Sequence, residues 1–386
     1  MLNSLYIRNY RCLKDFKINR LGRINLLTGK NNTGKSSILE AIAIYASNGD
    51  PKELFKILEE HNENFLVNSK SNKENNKPTS NIKQNFLNSL ANLFSGRKIV
   101  FDDTFSIYIG QNRGIFDINN EISGKSVILG FSIFKEVFYP DNVIKKEKVN
   151  FDDIDNLSDR DKSNLILDFE INSTKEPTTF ILDSDNIVNY FLQDSKIKEN
   201  FQLVRSNNVE KKDNPKLFDN IALTDKEQYV IEALKIIEPN IERITFVDSD
   251  SSLDRIAVIK LAGSNNTIPL KSMGDGINRI LTIILAMVNA ENGYLLIDEF
   301  ENGLHYTSQI KLWEIIFKLT EKLNVQVFAT THSEDCIFGF ERILNSIGNK
   351  DDGLLIRLDK KGDEIKYTEF DSEELRIANE GNIEIR

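Results

Sequence analysis

Apolar and polar positions alternate over 4–8 and 13–18, and an apolar run fills 23–28 before Gly29, so the chain opens on three short strands. From Ser36 the period changes, with Ile38, Leu39, Ile42 and Tyr45 recurring at helical spacing on one face. Strand, glycine loop, helix is the local order, and a second helix is predicted over 51–65. Residues 62–85 are rich in Asn, Lys and Ser with few apolar positions beyond Phe65, Leu66 and Val67, the pattern of a solvated, disordered-looking loop. Residues 99–185 read as an irregular β-rich region with strands at 104–109, 126–134 and 163–171, broken by the charged stretch 145–161. A helix at 225–237 stops before Pro239 and leads into strands at 243–247 and 256–261. Then come an apolar helix over 277–290, a strand at 294–297, a helix over 308–323 and a strand at 325–329. This alternation indicates an α/β fold with a parallel, doubly wound sheet. Sustained heptads are absent, so no long coiled coil is expected.

Composition narrows the class. With 386 residues, 40% of them apolar and 24 of them Phe, the chain can bury a large core, which excludes a peptide hormone, a disulfide miniprotein and a disordered tail. Cys12 and Cys336 stand far apart with no metal-ligand spacing, as expected in a reducing cytoplasm. The charged, alternating N-terminus is unlike a signal peptide, and no apolar run reaches membrane-spanning length, so a cytoplasmic location without membrane attachment is expected. The net charge of −10 argues against a uniformly basic nucleic-acid binder, yet residues 1–36 carry +7 and the remainder −17. A basic lobe on an acidic body suits polyphosphate.

The chemistry is concentrated in four segments. Gly29-Lys30-Asn31-Asn32-Thr33-Gly34-Lys35-Ser36 fits G-x-x-x-x-G-K-[ST] between a predicted strand and a predicted helix. Gly29, Asn31, Asn32, Thr33, Gly34, Lys35, Ser36 and Ser37 are therefore candidates for binding ATP: backbone N–H groups would face phosphate oxygens and Lys35 would reach the β- and γ-phosphates. Ser36 would place its hydroxyl on Mg²⁺. Asp298 and Glu299 end the apolar strand at 294–297. Asp298 is a second candidate for Mg²⁺, and Glu299 is the candidate catalytic group polarising the attacking water. Ser272, Gly274 and Gly276 open a helix 26 residues before Asp298, and His332 lies 34 residues after it beyond the next strand.

The order phosphate loop, S-x-G-x-G, strand with Asp-Glu and strand with His resembles the ATP-binding-cassette ATPases. The resemblance implies that Ser272, Gly274 and Gly276 of one subunit close over the γ-phosphate held by another, that His332 contacts the same phosphate, and that the loop Glu301–His305 crosses the dimer interface. His305 stays open between interface contact and packing. Ile7-Arg8-Asn9-Tyr10-Arg11 is similar to the first strand of RecF and the SMC-like ATPases, and the G-x-N-x-x-G form of the loop is theirs as well. Asn9 and Arg11 thus become further nucleotide-site candidates. The glutamine of the cassette family has no clear position; Gln84 and Gln111 are open. Asp183 with Asp185, and Asp248 with Asp250, are similar to the D-x-D of Toprim nucleases but lack the companion residues, and read as acidic turns.

The resemblance implies a P-loop head of the SMC/RecF-like ATPase type, with mixed and parallel sheet flanked by helices and a large inserted region. Four regions are expected: 1–64 and 221–341 as the two parts of the head, 65–220 as an inserted β/α region, and 342–386 as a C-terminal tail. Compact heads of this kind occur among anti-phage ATPases of the OLD, Septu and PARIS type. The expected function is ATP hydrolysis with Mg²⁺ by a chain that self-associates around ATP and controls a separately encoded effector, a nuclease being one kind open. The alternatives are a RecF-like repair clamp that binds duplex DNA directly and an ATP-locked scaffold with little turnover.

Overall fold

In the computed structural model, the residues described are 1–63, 80–102, 105–111, 125–138, 144–150, 153–154, 157, 165–173, 178–181, 200–206, 213–248, 255–274, 276–346, 352–381 and 383–385. Strands β1 (Leu5–Tyr10), β2 (Leu13–Ile18) and β3 (Ile24–Gly29) precede helices α1 (Lys35–Ala46), α2 (Pro51–Glu60) and α3 (Ser80–Ala91). Strands β4 (Ile107–Gly110), β5 (Ser126–Phe138), β6 (Ile144–Val149), β7 (Leu165–Ser173), β8 (Thr178–Ile181) and β9 (Phe201–Val204) follow. Helices α4 (Asn214–Asp219) and α5 (Asp225–Ile237) lead to β10 (Ile241–Asp248), β11 (Arg255–Leu261) and β12 (Thr267–Pro269). The rest alternates: α6 (Gly276–Asn289), β13 (Tyr294–Ile297), α7 (Tyr306–Leu323), β14 (Gln326–Thr330), α8 (Glu334–Ser346), β15 (Gly353–Lys361), β16 (Glu364–Phe370) and α9 (Ser372–Glu380).

Every residue of β3, β13 and β14 is buried, as strands covered on both faces must be. They lie at the centre of a six-stranded sheet of order β16-β15-β3-β14-β13-β9, parallel except where β16 returns antiparallel to β15. Successive residues point to opposite faces, so Leu27, Leu296, Phe328 and Ile356 enter one core while Leu26, Leu295, Val327 and Leu355 enter a second. The first core holds α1 and an antiparallel sheet of order β2-β1-β4-β5-β7-β8, with β6 on β5. The second holds α5, α6, α7 and α8. Helix α1 is thus enclosed between two sheets, which is why ten of its twelve residues are buried. A small antiparallel sheet, β10-β11-β12, precedes the turn into α6.

The mixed and parallel sheet with helices on both faces agrees with the expected head fold, and the longest helix among the described residues has 18 residues. Several boundaries are corrected. The helix expected over 51–65 ends at Glu60, and the end of the 62–85 loop belongs to α3, with 64–79 outside the described residues. The charged stretch 145–161 contains β6, an edge strand whose Lys146 and Glu147 pair with Asp168 and Lys135. The segment 342–386 is not a tail: β15 pairs with β3 in parallel, and α9 is capped by Asp371 with Glu374. Among the described residues no helix is long and apolar enough to cross a membrane.

Candidate functional site

Three neighbouring strands end side by side. β3 runs into the loop 29–37, β14 into Thr331 and His332, and β13 into Asp298 and Glu299. Residues some 300 positions apart in sequence are brought together in this way, at the carboxyl edge of a parallel sheet where ligands of such folds bind.

Left-handed backbone at Gly29 (φ 140°), Asn32 (φ 62°) and Gly34 (φ 90°) curls the loop onto the first turn of α1. A Cβ on Gly29 would lie 2.4 Å from the Leu358 carbonyl oxygen. Helix α1 starts at Lys35 without a side-chain cap, leaving its first N–H groups to the loop's concave side. Lys35 is buried and its Nζ donates to the carbonyls of Gly29 (2.7 Å) and Lys30 (2.9 Å). Burial pulls its pKa down to about 8, against the opposing influence of Asp298, Glu301 and Glu299. Thr33 Oγ1 donates to the Lys30 carbonyl at 2.8 Å. Asn31, Asn32 and Ser36 are exposed at the mouth, and Ser37 sits 3.6 Å from the Cys12 sulfur.

Ser36 Oγ donates to Asp298 Oδ1 at 3.3 Å, joining the loop to the end of β13. Thr330 Oγ1 donates to the same carboxylate oxygen at 2.7 Å and accepts the Glu299 N–H at 2.9 Å. Its carbonyl accepts the Phe300 N–H at 2.9 Å. These bonds hold Glu299 at φ 50°, a conformation unusual for a non-glycine residue and found where strain serves a site. Glu301 braces the adjacent turn, accepting from the His332 N–H (2.7 Å) and Thr331 Oγ1 (2.8 Å). His332 is half-buried beside this brace. The donors assembled around Ser36 and Asp298 are hard oxygens, which fit Mg²⁺.

The other candidates stand elsewhere. Ser272 is exposed and donates to the Pro269 carbonyl at 2.7 Å. Gly274 (φ 116°) is exposed with open space where a Cβ would be, and Gly276 opens α6 with its Cβ position 3.1 Å from the Gly303 carbonyl. Among the described residues no hydrogen bond links Ser272 to the loop 29–37. Asn9 donates to the Ser106 carbonyl, and Arg11 pairs with Glu40 and Glu63 at 3.0 Å each. Both are expected at the nucleotide, but Asn9 is bonded to the segment before β4 and Arg11 to Glu40 of α1, which also accepts from Tyr10 and touches His61. His305 precedes α7 and contacts Thr307 and Tyr306. Gln111 follows β4, while the Gln84 side chain, Asp183, Asp185, Asp250 and Asp275 lie outside the described residues. No metal-binding cluster of His, Cys, Asp and Glu occurs among the described residues.

Sequence reasoning passed over Thr330, and placed Glu301 only in the expected interface loop, although both organise the site without resembling catalytic groups. Their signal was proximity: Thr330 is two positions before His332 and Glu301 two after Glu299. It also missed Arg279, whose guanidinium donates to the Asp298 carbonyl at 3.0 Å.

Relatives bear on this arrangement. A Helicobacter pylori protein called ATP/GTP phosphatase is 25% identical over 366 residues, covering 89% of this chain and 88% of that one. A Methanocaldococcus jannaschii protein is 46% identical over 61 residues, 16% of this chain and 28% of its own. The SMC head domain from Thermotoga maritima superposes with a TM-score of 0.41 at 10% identity, over 96% of this chain and 98% of that one. A family model described as "AAA domain, putative AbiEii toxin, Type IV TA system" matches residues 24–335, from the start of β3 into α8. Since that span takes in the phosphate-type loop, the Asp-Glu strand and the histidine strand, the chain belongs to this AAA-domain family.

Proposed function

We propose that this chain hydrolyses ATP to ADP and phosphate at the loop 29–37, dimerises head to head around two ATP molecules, and passes that closure to a separately encoded effector in anti-phage defence. The observation that carries the reading is the 3.3 Å contact of Ser36 with Asp298, with Lys35 behind it and Glu299 beside it. The loop N–H groups and Lys35 bind the phosphates; Lys35, already directed at two carbonyls, exchanges them for β- and γ-oxygens. Ser36 and Asp298 would hold Mg²⁺, which supplies charge neutralisation to the phosphates when bound. Glu299 orients a water for in-line attack and takes up its proton, while His332 steadies the γ-phosphate. Asn31, Asn32, Thr33 and Ser37 shape the loop's mouth. The exposure of Ser272 and Gly274 supports a role toward a second copy, since neither is engaged with the chain's own loop. Arg11 braces α1 through Glu40.

Phosphate release by the wild type and by Glu299→Gln, each with ATP and Mg²⁺, tests the reading. Turnover in the first and its loss in the second, with nucleotide still bound, is expected. Undiminished turnover by Glu299→Gln overturns the assignment.

A further inference from the structure

The end of β9 and the two residues after it form a junction that the Asp-Glu strand and the first turn of α6 both reach. The Val204 carbonyl accepts the Asp298 N–H at 2.8 Å. Arg279 lies in the first turn of α6, just after Gly276. One of its terminal nitrogens donates to the Arg205 carbonyl at 2.6 Å and the other to the Asp298 carbonyl at 3.0 Å. Asn302, in the turn after Glu301, donates to the Ser206 carbonyl at 2.8 Å. The Arg205 guanidinium in turn pairs with Glu60 at the end of α2, and α2 packs on α1, the helix that the phosphate loop opens.

The peptide between Asp298 and Glu299 is therefore held from both sides. Its carbonyl accepts from Arg279 and its N–H donates to Thr330 Oγ1. Because this is the peptide that sets Glu299 at φ 50°, a small rotation of it swings the Glu299 carboxylate. A guanidinium is a planar fork, so while both bonds persist a shift of α6 is passed by Arg279 to the two carbonyls it binds.

We propose that Arg279 is a positioning residue that couples engagement of the Ser272–Gly276 turn to the orientation of the Asp298–Glu299 peptide, and through the Arg205 segment to α2. The proposal rests on the dimer reading above, in which that turn meets a nucleotide held by a second copy. Engagement in trans then resets the water-orienting group of the same chain in cis, and two sites fire together rather than independently. Charge-assisted bonds to carbonyls suit such a coupling, being strong yet able to exchange acceptors.

The test uses the full chain and three measurements: nucleotide affinity, steady-state phosphate release against ATP concentration, and the thermal midpoint. Arg279→Gln should bind ATP within about threefold of wild type while kcat falls roughly tenfold or more, a split a merely structural defect does not produce. The Hill coefficient, expected to lie above about 1.5 in the wild type, should fall to about 1. Arg279→Lys, which keeps the charge and one donor, should recover part of kcat, and it answers the question if Arg279→Gln does not fold. Cooperative turnover by Arg279→Gln or by a folded Arg279→Met overturns the proposal alone. So does a parallel loss of affinity, kcat and thermal midpoint in Arg279→Lys. A wild type that hydrolyses ATP without cooperativity as a monomer overturns the dimer reading and the coupling with it.

Discussion

Lys35 keeps its ammonium on two carbonyls of its own loop while three carboxylates, Asp298, Glu301 and Glu299, stand close enough to favour its charge. That arrangement is a cation awaiting an anion, and no other side chain of the loop supplies one from a buried position. We predict that Lys35→Ala loses roughly 100-fold or more in ATP affinity, the scale of a lost charge-assisted phosphate contact, with the thermal midpoint little changed. Fluorescent-nucleotide titration checks it, and affinity within threefold of wild type would remove Lys35 from the role. Behind the same helix, Glu40 is buried between Arg11, Tyr10 and His61. Burial by itself would raise its carboxyl, but the His61 hydrogen bond, Arg11 and Tyr10 together hold it below the usual carboxylate value. A lowered folded-state value means that this contribution to stability is complete above the unfolded carboxylate range and is lost as pH falls through the folded value. Glu40→Gln should therefore cost about 3 kcal/mol at neutral pH, the cost of breaking a buried pair, and should flatten the stability profile below about pH 4.5. Denaturant titrations at several pH values decide; parallel profiles for the two proteins would exclude Glu40 as the acid-sensitive group.

At the scale of elements, the weakest-looking strand carries unusual responsibility. β9 has four residues, yet it completes the sheet beside β13, its Val204 carbonyl accepts from Asp298, and the Arg205 carbonyl just after it accepts from Arg279. Its seat depends on Gly293, where a Cβ would lie 1.6 Å from the Asn200 carbonyl that accepts the Tyr294 N–H. Gly293→Ala must push β9 off β13, so we predict a loss of about 2–3 kcal/mol in stability, as for other overpacked backbone contacts, together with reduced turnover. Equilibrium unfolding measures the first and phosphate release the second; an unchanged unfolding midpoint would mean that β9 is not held by this approach. Such strands explain which parts of the fold were legible. β3, β13, β14, α1 and α6 carry strong local patterns and a motif at one end, so their type and order could be read from contiguous residues. β9 is too short for periodicity to declare itself. β6 hid in a run of lysines and glutamates because an edge strand can keep charge on its open side. β15 alternates plainly enough, but its partner is β3, more than 300 residues earlier, and no local signal announces a pairing of that range. The site follows the same rule: Lys35, Ser36, Asp298, Glu299 and His332 sit in compact motifs, whereas Thr330, Glu301 and Arg279 matter through bonds made only on folding.

For the whole molecule, the two cores divide the labour. One encloses α1 between two sheets, the other packs α5 to α8 on the far face, and the loop 29–37 and the Ser272–Gly276 turn are carried by different halves. The exposed turn has an open glycine, and no hydrogen bond of Ser272 reaches the loop among the described residues; in the proposed dimer, a second copy brings the two together. Each copy carries −10, so association without ligand works against charge repulsion. In the proposed dimer, ATP shared between two copies would overcome that by linkage, since a nucleotide bound more tightly by the dimer than by the monomer strengthens the dimer by the same factor. We predict that Glu299→Gln, unable to discharge the closed state, dimerises roughly 10- to 100-fold more tightly with ATP and Mg²⁺ than without nucleotide, a usual range for coupled binding. ADP should give little of this effect. Ser272→Arg, a bulky charge on the exposed turn, should abolish the tightening while leaving ATP affinity per copy within about threefold, because among the described residues Ser272 makes no hydrogen bond to its own loop. Sedimentation at several protein concentrations reads all three states. A mass that ignores ATP in the Glu299→Gln protein, or tightening that survives Ser272→Arg, would mean that the nucleotide site closes within one chain and that Ser272 and Gly274 have no part in it.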